Sequence, residues 1–138
     1  MSTIFTKIIN REIPSYIVYE DDLVLAFLDI TQASKGHTLV VTKNEYKDIT
    51  EVPEETLSHL FKVVQKISKG MFKAFNIKGI NLLNNNGEVA GQTVFHYHVH
   101  IIPRYESNEL NFVFENNMDK TSKEMFIERQ NLIISSLN

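Results

Sequence analysis

With 138 residues, 43% apolar and 22% charged, the chain suits one globular domain with a single core and is unlike a disordered segment. A net charge of −3 with scattered lysines gives no basic footprint for nucleic acid. Cysteine is absent, which excludes disulfides, thiolate metal ligands and a thiol nucleophile; the apolar runs are too short to span a membrane and no secretory leader follows Met1, so the expected compartment is the cytosol.

Ile4 to Pro14 carries a short apolar segment with one helical turn. Tyr16 to Glu20 reads as a strand closed by Asp21-Asp22, and Leu23 to Ile30 as a second, richer in apolar residues. Gly36 opens a third strand, His37 to Lys43. A long helix follows. Pro53 suits its first turn, Glu54 and Glu55 complement its dipole, and Leu57, Leu60, Phe61, Val64, Ile67, Met71 and Phe75 recur as one apolar stripe. Lys62, Lys66, Lys69, Lys73 and His59 lie off that stripe and read as solvated surface.

Ile80 to Leu83 is a fourth strand. The run Asn84-Asn85-Asn86-Gly87 marks a turn, and the loop through Gly91 leads into a fifth strand, Thr93 to Ile102, stopped by Pro103. Tyr105 to Met118 is polar and irregular. Thr121 and Glu124 are spaced as a capping box for a last helix carrying Met125, Phe126, Leu132 and Ile133. The order of elements predicts an α+β fold over residues 1–138: a five-stranded antiparallel sheet with one long and one C-terminal helix, both on one side. Strict strand–helix alternation, which a doubly wound sheet needs, is missing.

The chemistry concentrates in Gln92 to Tyr105, Q-T-V-F-H-Y-H-V-H-I-I-P-R-Y. Side chains alternate along a strand, so His96, His98 and His100 share one face, about 7 Å apart. Phe95, Tyr97, Val99 and Ile101 share the other and suit a core. A core has no use for three adjacent imidazoles, each of which needs a hydrogen-bond partner if buried. They could hold Zn²⁺ or bind an anion. The preceding loop, Asn85 to Thr93, offers amides, hydroxyls and backbone N–H groups suited to phosphate oxygens, and no acidic residue adjoins the triad as an extra metal ligand.

The segment His96-Tyr97-His98-Val99-His100-Ile101-Ile102 resembles the His-φ-His-φ-His-φ-φ signature of the histidine-triad (HIT) family. Ile4-Phe5, Lys7-Ile8-Ile9, Glu12-Ile13-Pro14, Tyr19-Glu20-Asp21-Asp22, Ala26-Phe27-Leu28-Asp29-Ile30, Gly36-His37-Thr38-Leu39-Val40 and Gly91-Gln92-Thr93-Val94 are similar to stretches of its Hint-like branch, and the ending Ile101-Ile102-Pro103-Arg104-Tyr105 is most similar to bacterial members.

The resemblance implies hydrolysis of nucleoside phosphoramidates or related nucleotides at the α-phosphate. His98 is then the nucleophile, forming a nucleotidyl-histidine, and a backbone carbonyl near His96 fixes its tautomer. His100 donates to phosphate oxygens, and His96 with His37 forms a polar network that relays or orients protons. Gln92 and Thr93 contact the phosphate or leaving group, and Asn85 the sugar-phosphate side. Phe5, Ile8, Phe27, Ile30 and Leu39 match the base-contacting positions, although each suits plain core as well, and Asp29 matches the acid that accepts ribose hydroxyls. A purine nucleotide such as AMP is the implied ligand.

Many bacterial relatives hold a structural zinc on a Cys-x-x-Cys pair, a mid-chain His and a triad-linked His. Here Thr3, Thr6 and Glu45 stand at three of those positions, so no structural zinc is expected and hydrogen bonds are the expected substitute. The resemblance also implies a two-fold homodimer joining two five-stranded sheets into one of ten, with the long helix and the Ile80 to Leu83 strand at the join. Lys7 reads as surface, and Arg104 as a contact for a partner subunit or an anionic product. Three other readings stay open: a nucleotide-binding scaffold without turnover, a zinc enzyme built on the triad, and a dinucleoside polyphosphate hydrolase.

Overall fold

A computed structural model describes residues 2–137. The chain runs through helix α1 (Ile4–Ile9), strands β1 (Ile17–Glu20), β2 (Val24–Leu28) and β3 (Thr38–Thr42), helix α2 (Glu54–Ala74), strands β4 (Gly79–Leu83) and β5 (His98–Arg104), and helix α3 (Lys123–Ser135). The five strands form one sheet in the order β1-β2-β3-β5-β4, and every neighbouring pair is antiparallel. No helix among the described residues is long and apolar enough to cross a membrane.

The two inner strands β2 and β3 are buried nearly throughout, which explains why apolar residues do not alternate with charged ones along them. On one face Val24, Ala26, Val40, Val99 and Ile101 pack against Leu60, Val63, Val64, Ile67 and Met71 of α2. Each of these side chains larger than Ala26 contributes about 1.5–3 kcal/mol by leaving water. The alternate residues Leu25, Phe27, Leu39 and Val41 face the other way and pack against Phe5 and Ile8 of α1. Helices therefore cover both faces, which corrects the expected one-sided arrangement. Helix α1 is too brief for its period to be read from sequence.

Several boundaries also differ. Strand β5 begins at His98, not Thr93, because the Tyr97 amide donates to the Tyr46 carbonyl at 2.6 Å and the preceding residues are tied to loops. Phe95, placed on the core face by alternation, is consequently exposed. The strand then continues through Pro103, which pairs with Ile80. The Pro103 carbonyl accepts from the Ser34 hydroxyl at 2.5 Å, so its missing N–H lies on the same side, beyond the end of β3, where no ladder bond is lost. Ser122, not Thr121, caps α3 by accepting from the Met125 amide, because the Thr121 hydroxyl donates to the Asn117 carbonyl at 2.7 Å.

Pro53 is the N-cap residue of α2 instead of lying in its first turn. Phe61 is exposed and Val63 takes its place in the stripe. His59 is not a bare surface residue. Its Nε2 lies 2.6 Å from Asp21 Oδ2, which also accepts from the Tyr19 hydroxyl at 2.8 Å, and so α2 is tied to the β1–β2 turn. Burial pushes the Asp21 carboxyl up, but His59, the Leu23 and Val24 amides and Tyr19 together hold it well below the usual carboxylate range. Arg104 is likewise spent internally, donating to Glu109, Asn81 and the carbonyls of Glu106 and Ser107, which corrects its reading as a partner or product contact.

Candidate active site

The antiparallel register of β3 and β5 sets His98 beside Val41 and His100 beside Leu39, on the face away from α2. Their rings approach to 5.1 Å between centroids, closer than strand spacing alone predicts. Both line a cleft of about 400 Å³. Phe5, Ile8, Ile13, Phe27, Leu39 and Val94 form its apolar lining; Asp29, Asn85 and Thr93 add polar groups. The Phe5 ring stands edge-on to His98, 4.9 Å between centroids, so α1 closes the wall next to that imidazole.

The hydrogen bonds fix which ring nitrogens carry protons. A carbonyl can only accept, so His98 Nδ1–H donates to the His96 carbonyl at 2.7 Å. Neutral His98 therefore keeps a free lone pair on Nε2. The Ala33 amide donates to His37 Nδ1 at 3.2 Å. His37 accordingly carries its proton on Nε2 and donates it to His100 Nδ1 at 2.9 Å. That leaves the His100 proton on Nε2. A lone pair and a donor thus stand on neighbouring residues of one strand face. Gly36 sets the entry to β3, with His37 just before its first residue: its φ is +98°, and a Cβ there would meet the Phe75 ring at 2.8 Å.

Burial favours the neutral imidazoles throughout. It lowers His98, against the His96 carbonyl that raises it. Burial, then His98 and His37, pushes His100 down to about 4. His37 and His96 are lowered by burial too, with Asp29 opposing the shift of His37 and the Thr42 carbonyl that of His96. For Asp29 burial acts upward, yet hydrogen bonds from the Thr31 hydroxyl and amide hold the carboxyl below its ordinary value. Those bonds go to Oδ1, and Oδ2 lies 3.7 Å from His37 Nε2.

Of the residues read from sequence, the cleft brings together His98, His100, Asn85, Thr93, Asp29, Phe5, Ile8, Phe27 and Leu39. Ile30 reaches it only as an exposed side chain. His37 and His96 lie behind, each bonded as described. Gln92 does not face the cleft, contrary to the expected phosphate contact. Its side-chain amide donates to the Lys47 and Val94 carbonyls and accepts from the Gly87 amide, bracing the loop instead. Sequence reading passed over Ile13, Val94, Asn84 and Ala33. Asn84 donates to the His98 carbonyl and accepts from Tyr97 Oη, both at 2.9 Å, tying the end of β4 to the start of β5. Ala33 acts through its main-chain amide, which leaves no signal in residue type.

Two groups invite a metal. Asp29, His37 and His100 form a cluster whose ligand atoms lie within 4.8 Å of one another. Its surroundings are wrong for an ion: a neutral ligating imidazole donates its second N–H, whereas His37 Nδ1 meets the Ala33 N–H donor. The second group is Thr3, Thr6, Glu45 and His96, where the resemblance placed a structural zinc site. Thr3 Oγ1 donates to His96 Nδ1 at 2.7 Å, while His96 Nε2–H donates to the Thr42 carbonyl at 2.6 Å. The Thr6 hydroxyl and the Thr3 amide both donate to Glu45 Oε1. Zinc sites use thiolates, imidazoles and carboxylates; two protonated hydroxyls already donating to His96 and Glu45 do not fit that donor set.

The HIT domain model matches residues 10–107. The chain belongs to the HIT family. This HIT protein is 55% identical over 102 residues to Protein hit of Bacillus subtilis (strain 168), covering 74% of this chain and 70% of that one. It is 41% identical over 104 residues to adenosine 5'-monophosphoramidase hnt1 of Schizosaccharomyces pombe, covering 75% of each. A crystal structure of a HIT family member from Bacillus subtilis superposes with a TM-score of 0.94 at 44% identity, over 100% of this chain and 99% of that chain. The fold, including the course of the segment after residue 107, is therefore that of solved HIT proteins.

Proposed function

We propose that this HIT protein hydrolyses nucleoside phosphoramidates and related nucleotides at the α-phosphate, through a covalent intermediate on His98. The observation that carries the reading is the pairing of a free His98 Nε2 lone pair with a His100 Nε2–H on the same strand face. The lone pair attacks the α-phosphorus, a P–N bond to His98 forms, and the P–N bond to the amine breaks. The amine takes a proton from solvent. His100 Nε2–H, with the Thr93 hydroxyl and the Asn85 amide, donates to the phosphoryl oxygens as charge builds on them. Water then attacks phosphorus, the electron pair returns to His98 Nε2, the water's proton leaves to solvent, and a nucleoside monophosphate such as AMP is released.

Asp29 Oδ2 accepts from the ribose hydroxyls, and Phe5, Ile8, Phe27 and Leu39 enclose the base. Their apolar character suits a purine by area and stacking, and the cleft volume suits one nucleotide. His37 and His96 orient protons and do not relay them, since the Ala33 amide blocks His37 Nδ1 and the Thr42 carbonyl holds His96 Nε2. The decisive experiment is incubation with adenosine 5'-phosphoramidate. Multiple turnovers to AMP and free amine are expected; nucleotide binding without product would replace the enzyme reading with that of a scaffold.

The active form is a two-fold dimer joined at edge strand β4 and the outer side of α2. Phe61, Phe72 and Leu82 are 40%, 52% and 51% exposed there, around a common groove. Helix α3 has no buried residue, and Phe126, Ile127, Leu132 and Ile133 are all exposed, so it too gains by packing on a second copy. Light scattering is expected to give twice the chain mass, falling to one chain in Phe72→Glu/Leu82→Glu; a monomeric parent protein refutes this arrangement.

A further inference from the structure

We propose that Glu45 is a positioning residue for the nucleophile. Through Thr3 and Thr6 its carboxylate seats helix α1 and holds His96, whose carbonyl orients His98. The inference rests on the nucleotide reading for its consequence, but the clamp itself is a matter of structure.

Helix α1 has six residues, far below the length of about 12–15 at which an isolated helix holds in water. Phe5 and Ile8 are its two buried side chains. Its N-terminus needs another anchor, and Glu45, from the loop after β3, provides one. Oε1 accepts from the Thr3 amide at 3.2 Å and from the Thr6 hydroxyl, so one oxygen satisfies donors in both the cap and the first turn. Thr3 Oγ1 accepts from the Thr6 amide at 3.2 Å while donating to His96 Nδ1. His96 is fully buried, so that nitrogen has no water to fall back on. The clamp ends at the chemistry on two sides: α1 sets Phe5 against the His98 ring, and His96 presents its carbonyl to His98 Nδ1.

The role of Glu45 is to accept hydrogen bonds, so the conservative amide should preserve it and truncation should not. The test compares Glu45→Ala with Glu45→Gln by hydrogen exchange of the amides of residues 3–10 and by calorimetric titration with AMP. In Glu45→Ala these amides exchange about tenfold faster, the AMP dissociation constant rises about tenfold as Phe5 loosens, and kcat falls about tenfold as His98 loses its fixed orientation. Glu45→Gln stays within about twofold of the parent on each measure. Equal exchange of α1 in Glu45→Ala and parent overturns the proposal, as does Glu45→Gln behaving like Glu45→Ala. Stoichiometric zinc in protein purified without a metal-binding tag, lost in Glu45→Ala, overturns it as well. If the parent binds no AMP, the nucleotide reading fails, and the exchange data still decide the clamp.

Discussion

His98→Asn is expected to abolish turnover of adenosine 5'-phosphoramidate, by about 10⁴-fold or more, while AMP affinity changes only a few-fold. Asparagine keeps an amide donor for the His96 carbonyl, and so the backbone that presents residue 98 stays in place. It lacks the second ring nitrogen, and no cysteine exists to replace it. Single-turnover mixing followed by intact-mass analysis under neutral conditions should show the parent protein carrying one nucleotidyl group and the variant none. Turnover that survives the substitution would remove the mechanism. The pH profile adds an independent check. Attack needs neutral His98, and burial holds its pKa below the ordinary value of about 6.5. Activity should therefore persist as pH drops below that value and fade only as a proton reaches Nε2, with the acid limb of kcat/KM displaced downward.

His37→Ala is expected to lower kcat about 100-fold with a much smaller change in KM. The deletion frees His100 Nδ1 to take the proton, and in that tautomer Nε2 faces the phosphate with a lone pair instead of a donor. Repulsion grows as negative charge builds on the phosphoryl oxygens, so the loss falls on the transition state. His37→Gln keeps an N–H that can reach His100 Nδ1 and should recover a good part of the rate. Stopped-time product assays under saturating substrate separate the two variants. An unchanged kcat in His37→Ala would show that His100 holds its tautomer unaided.

Much of this arrangement was legible in the residues. The alternation of His98-Val99-His100-Ile101 announced one chemical face and one core face, and β5 divides them in that way. Asp29, which only the family resemblance singled out, lines the cleft. What escaped was set by contacts distant in sequence. Gln92 looked like a phosphate ligand because amides suit that task, but a loop without regular structure drew its side chain inward to satisfy main-chain groups. Asn84 looked like mere turn residue and is a brace. Phe61 and Val63 exchanged places because both lie within reach of a helical stripe, and only the sheet decides which is covered. Ala33 could not be found from residue type at all.

The partition of β5 has a consequence for folding fidelity. Because Val99 and Ile101 serve the core while His98 and His100 serve the cleft, a slip of one residue against β3 would turn every side chain over. Imidazoles would be driven under α2 without partners, and aliphatic groups would take their place in the cleft. Mispairing therefore forfeits the core and the histidine-lined cleft in a single event, so an intact cleft certifies the alignment of the strand that builds it.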